Sequence, residues 1–321
     1  MKSSTIHHLN TGLILLSCMV AFFIPFELFL FSYAVLGPLH YLTEIGWLHK
    51  KNYFTKGKYD FVLLSIACSI LVFWNFFPPK NSGLMADIIL FSALCSIVFV
   101  FMKDWLYRGA VILLALLVVG FVNDTTHYFT WAAIFLPTII HVFIFTWAFM
   151  LFGVLKEKSW PGLVSIFTLI ICAILLITIQ PQNLFYNVSE YIQKSYSNFT
   201  LLNFSLVNLF GLDSFTEVSQ VFTSNAGFVI MRFIAFAYTY HYLNWFSKTS
   251  VIKWHEVSRK SLTITLIIWI SSVGLYAYNY SLGMNVLFFL SFLHVFLEFP
   301  LNVVSFSGIG KALGSFSAKK S

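Results

Sequence analysis

The stretch Thr11–Trp47, TGLILLSCMVAFFIPFELFLFSYAVLGPLHYLTEIGW, decides how this chain is threaded. A membrane-crossing helix takes about 20 mostly apolar residues. This stretch is far longer, and its ionisable residues are Glu27, His40 and Glu44. It also carries Pro25, Gly37 and Pro38. Two readings follow: one span plus a broken or re-entrant piece, or two short spans. Irregular backbone at membrane depth persists only where protein or water satisfies it. Gly37 and Pro38 predict a bend or break just before His40. One crossing puts the N-terminus opposite Lys50 and Lys51; two crossings put it on their side.

The same apolar character continues along the chain, at about 60–77, 85–102, 109–122, 130–154, 162–180, 225–246, 262–281 and 284–306. The 321 residues are 59% hydrophobic and 10% charged, against about 25% charged in a soluble domain. The expected fold is all-α: a single membrane domain over 1–321, built as a polytopic transmembrane helix bundle of about nine spans (8–10). An outer loop at 181–224 is expected to lie on the membrane surface or cap the bundle, and 307–321 to form a cytoplasmic tail. That loop holds N-x-S/T sequons at Asn187, Asn198 and Asn203. No small-residue cleavage site follows the first apolar segment, so it reads as uncleaved.

Loop charges test the layout. Alternating from Lys50, every Lys and Arg falls on one side except Lys2, Lys80, Lys194 and Arg232. Basic loops mark the cytoplasmic side, which puts the C-terminus inside, in a bacterial inner membrane. The net charge of +7 is therefore spent on topology, and no nucleic-acid partner is expected. Cys18, Cys68, Cys95 and Cys172 lack metal-ligand spacing and read as small buried hydrophobes.

Ionisable residues within spans are costly and usually face a bundle interior. His40, His141, His241 and His294 lie at membrane depth on four different segments. Glu44 and Glu298 follow His40 and His294 by four residues, one helical turn on the same face. Imidazole is the commonest transition-metal ligand, and a ligating imidazole usually passes its other N–H to a carboxylate or carbonyl. Four His and two Glu suit Fe(II), with Zn(II) as the alternative. Tyr238 and Asn244 share the face of His241, and with Trp245 they are candidates to support it or meet substrate. No GxSxG, HExxH, Walker A or GxGxxG pattern falls in a usable context.

Four short patches resemble the bacterial Brp/Blh family of membrane β-carotene-cleaving dioxygenases. GPLHYLTE (Gly37–Glu44) is similar to that family's early Gly-x-Pro-His-Gly-x-x-Asp motif, with His40 and Glu44 at its His and acid positions. IIHVF with His141, YTYHYLNWF with His241, and LHVFLE with His294 and Glu298 follow in the family's order. The chain departs from the pattern in having Pro38 and Leu39 in exchanged order, Glu44 for Asp, Tyr41 after His40 where the family has Gly, and Trp245 for a second histidine. The resemblance implies histidine-bound iron and cleavage of a hydrophobic substrate by O2.

Three functions follow as expectations. The first is a non-haem iron oxygenase acting on an isoprenoid, carotenoid or lipid, with O2 and the bilayer as its partners. The second is a zinc-dependent intramembrane hydrolase with Glu44 or Glu298 as base. The third is a proton-coupled transporter using the His/Glu pairs as relays.

Overall fold

The computed structural model describes residues 3–81, 83–123, 125, 127–180, 187–248 and 257–318, and all regular structure among them is helical. Eight of these helices are long and apolar enough to cross a membrane. The expected all-α bundle of about nine spans is what forms. The fifteenth to twenty-third residues already show its solvent: Leu15, Leu16, Met19 and Phe23 are exposed, as an apolar face turned to lipid requires.

The long first stretch is two helices. α1 (Ser3–Phe23) ends at Ile24, whose backbone leaves the helical region (φ −133°, ψ 61°), and Pro25 opens α2 (Pro25–Phe31). A proline at the first helical position costs nothing, because the N–H it lacks would be unpaired there anyway. Of the bend or break expected just before His40, no break forms at Gly37 and Pro38. Instead the chain widens into π turns over Ser32–Leu36 and runs on as α3 (Gly37–Lys50).

The remaining helices are α4 (Asp60–Phe76), α5 (Gly83–Phe101), α6 (Trp105–Val122), a π-wound stretch Thr130–Phe145 continuing as α7 (Thr146–Glu157), and α8 (Trp160–Thr178). Three short helices follow: α9 (Glu190–Tyr196), α10 (Thr200–Phe210) and α11 (Gln220–Thr223). Then come α12 (Asn225–Ser247), α13 (Arg259–Tyr278) and α14 (Tyr280–Ala318). Side-chain caps start several of them: Asp104 accepts from Leu106 N, Ser159 from Gly162 N, and Ser224 from Gly227 N. Residues 307–318 continue α14; 319–321, and 181–186 of the expected outer loop, lie outside the described residues.

The chain divides into two compact units. The first holds Met1–His40 and Glu157–Asn285, with α12 at its centre. Twenty of the 23 residues of α12 are buried, and it packs on α1, α2, α8, α10 and α11. Its Arg, Asn, His, Thr and Tyr residues would be costly against lipid, so the neighbouring helices shield it. Arg232 shows how. Its Nε donates to Phe22 O (2.9 Å) and Nη1 to Ile179 O (3.3 Å), with the guanidinium 3.8 Å from the Phe22 ring centroid. One cation thus meets the negative C-terminal ends of α1 and α8 together. At the opposite end, Asn10 Oδ1 accepts from Ser247 Oγ (2.8 Å), and Ser165 Oγ donates to His7 O (2.9 Å). These contacts make α1 parallel to α8 and antiparallel to α12.

Ser32 Oγ meets Thr239 Oγ1 at 2.8 Å, and Trp269 Nε1 donates to Val35 O. Together with the Arg232 contacts these run α2 parallel to α12, and hence antiparallel to α1. α1 and α2 form a tight hairpin. Residues 187–224 cap this unit: Tyr196 is fully buried against Phe26, Phe29, Phe199 and Phe222. Asn203, one of the sequon asparagines, is fully buried and donates to Gly227 O (3.1 Å).

The second unit holds Tyr41–Lys156 and Val286–Ser321. Arg108, whose position at a helix start predicts snorkelling, is held inside instead. It donates to both Asp60 oxygens (2.7 and 3.0 Å) and to Met102 O (2.9 and 2.7 Å). Gly57 N donates to Asp60 as well (2.8 Å), so one largely buried ion pair, with Asp60 the more enclosed partner, ties three chain segments. Intramembrane Asp87 is answered by Tyr128, whose hydroxyl donates to Oδ1 at 2.8 Å.

Arg108→Ala is expected to destabilise the protein by about 3–5 kcal/mol by stranding buried Asp60. Denaturant or thermal unfolding in detergent checks this. Replacing both partners with apolar residues of similar volume is expected to cost much less. The hairpin makes a second prediction: accessibility probes before Ser3 and beside Lys248 should react from the same side of the membrane. Reaction from opposite sides would mean a single crossing in 11–47.

Candidate metal centre

Each unit carries a histidine pair. In the first, His40 sits one turn into α3, directly after the π-widened Ser32–Leu36, and His241 lies in the second half of α12. Their Nε2 atoms stand 3.1 Å apart. Trp245 places its ring edge against His40 (centroids 5.6 Å, 88°), and Tyr242 packs on both imidazoles (5.2 and 5.4 Å). In the second unit, His141 lies on the π-wound Thr130–Phe145 four residues after Pro137, and His294 lies on α14. Their Nε2 atoms are 3.2 Å apart. Tyr41 stacks on His294 (5.7 Å, 28°).

Both pairs are dry. His40, His141, His241 and His294 are 1%, 1%, 6% and 5% exposed. Glu44 and Glu298 are buried too. Sequence spacing assigns Glu298 to His294, four residues before it. In space its Oε2 lies 3.3 Å from Nδ1 of His141, on another helix. A carboxylate at Nδ1 favours the tautomer with the proton there, which leaves the Nε2 lone pair of His141 aimed at His294. Glu44 lies one turn beyond His40 on α3.

The three supporting candidates fall in different places. Trp245 touches a candidate ligand. Tyr238 belongs to an aromatic cluster with Phe29, Tyr33 and Tyr242. Asn244 is buried, and its carbonyl accepts from Ser247 Oγ. Sequence reasoning passed over Tyr41 and Tyr242. The signal available was the repeated His-Tyr-Leu at 40–42 and 241–243.

The donor set fits a transition metal. Metal–imidazole bonds run about 2.0–2.1 Å, so two nitrogens on one ion stand about 2.9 Å apart at a right angle and about 3.4 Å at the tetrahedral angle. Separations of 3.1 and 3.2 Å fall between those limits. A direct N–H···N hydrogen bond fits the same separation, and it requires one histidine of each pair to carry its proton on Nε2. Either way, the two nitrogens of a pair cannot both point lone pairs at each other without a cation.

No protein-family model, no curated protein and no solved structure matches this chain.

Proposed function

We propose that this protein is a membrane-embedded non-haem iron oxygenase acting on a hydrophobic substrate, with His40, His141, His241 and His294 as its Fe(II) ligands. The observation that carries the reading is the facing of Nε2 atoms in two buried imidazole pairs. The choice of iron over zinc, and of an isoprenoid, carotenoid or lipid as substrate, rests on the likeness of the four histidine patches to the Brp/Blh family.

When bound, iron would supply O2 activation; the chain's own residues do the rest. The Glu298 carboxylate, 3.3 Å from His141 Nδ1, favours the proton there, which leaves Nε2 as a donor atom for the metal. Trp245, Tyr242 and Tyr41 wall the imidazoles with rings and exclude water. Buried Glu44 is a second carboxylate one turn from His40, suited to orient a ligand or hold a proton. In this reading the protein sits in a bacterial inner membrane, with the lysine-rich loops and the C-terminus cytoplasmic.

Metal analysis of the purified chain is the test. One iron per chain is expected, with loss in His141→Ala. Glu298→Gln should weaken affinity by about 10–100-fold in a chelator competition. Iron-dependent O2 uptake should appear with a polyene or lipid substrate. Bound zinc with hydrolysis in the absence of O2 would select the hydrolase. A metal-free chain that moves solute across liposomes in the presence of chelator would select the transporter.

A further inference from the structure

At one end of the second unit a cavity of about 690 Å³ opens between four chain segments. They are the loop after α3 (Phe54, Thr55, Lys56), the end of α5 (Val100, Phe101), the end of α7 (Phe152, Lys156) and the late turns of α14 (Val304, Ser307, Gly308, Lys311). The volume lies in the range of ligand pockets. Its chemistry is divided. Phe54, Val100, Phe101, Phe152 and Val304 make apolar walls, and three lysines share the same space with Thr55 and Ser307.

The lysines are not balanced. No carboxylate lines the cavity, and no ion pair engages Lys56, Lys156 or Lys311 among the described residues. The nearest acids along the chain are occupied: Asp60 holds Arg108, Asp104 caps α6, and Glu157 meets His7 at 3.2 Å. Lys56, Lys156 and Lys311 are exposed and border one concavity, so an anion seated there meets three positive charges and no negative one.

The backbone also makes room. Any Cβ at Gly308 would overlap the Phe152 ring, so glycine alone lets α14 close on this wall. Phe101, which lines the cavity, is an exposed apolar residue of the kind that faces acyl chains. Lys156 falls in the last turn of α7, where a spanning helix meets the headgroup layer.

We propose that this cavity binds the headgroup of an anionic phospholipid, with Lys56, Lys156 and Lys311 on the phosphate and the apolar walls against the first methylenes. Soluble phosphate shares the anion chemistry and lacks any use for five apolar wall residues.

The test uses the full chain in detergent, titrated with phosphatidylglycerol, phosphatidylcholine or inorganic phosphate, and read by native mass spectrometry and thermal stability. Phosphatidylglycerol is expected to be retained and to stabilise in preference to phosphatidylcholine. Each Lys→Gln change at 56, 156 or 311 should lower its affinity about fivefold. Lys→Arg at the same positions should retain it, and Lys158→Gln with Lys260→Gln should leave it unchanged. Should the change at 56 or 156 prevent folding, Lys311→Gln alone decides. Equal retention of both lipids, equal loss in the control variant, or stabilisation by millimolar phosphate matching that of the lipid would each overturn the proposal.

Discussion

Inside a bilayer no water is on hand to satisfy a buried polar group, so each one must be answered by protein. Much of this structure follows from that. α12 carries an arginine, a histidine, two asparagines and several hydroxyls, and so it is the helix that others enclose. Arg232 finds helix-terminal carbonyls, Ser247 finds Asn10, and Thr239 finds Ser32. α6 carries apolar residues through its middle, and Leu113, Leu117 and Phe121 stand exposed. Which helices face lipid and which lie inside is thus a sorting by polarity. The most polar span ends up most protected.

The histidines obey the same rule and add something to it. A single imidazole can satisfy itself with a backbone carbonyl. Two imidazoles that face each other through Nε2 have only a shared proton or a shared cation as partner. Aromatic rings press on both pairs and restrict how far the imidazoles can turn away. The arrangement therefore keeps the two ring nitrogens of each pair facing each other.

The sequence makes the fold class legible because lipid tolerates so narrow a composition. Apolar runs of spanning length, separated by lysine-bearing loops, leave little else to build. Local punctuation was harder to read. Gly37-Pro38 looks the stronger breaker, yet the chain breaks at Ile24, since Pro25 can begin a helix at no cost and the region before Pro38 absorbs its strain by widening. Pairings between distant segments were illegible. Nothing near Arg108 announces Asp60, 48 residues earlier, or assigns Glu298 to His141 over its neighbour on the same helix. The four histidines stood out because each is expensive where it lies. Tyr41 and Tyr242 did not, because tyrosine is ordinary in a membrane protein.

The π-wound turns before His40 and around His141 bear on how these two imidazoles are aimed. Each i→i+5 turn stores one residue more than an α turn, and such turns gather at functional positions. The direction of an imidazole beyond them is set by hydrogen-bond register as well as by position in the chain. A helix of this kind holds slack: a single inserted or deleted residue can be taken up by tightening or widening a turn while the span keeps its apolar face. The same event swings every downstream side chain around the axis. Re-aiming an imidazole is then a matter of chain length, and one residue is enough to do it.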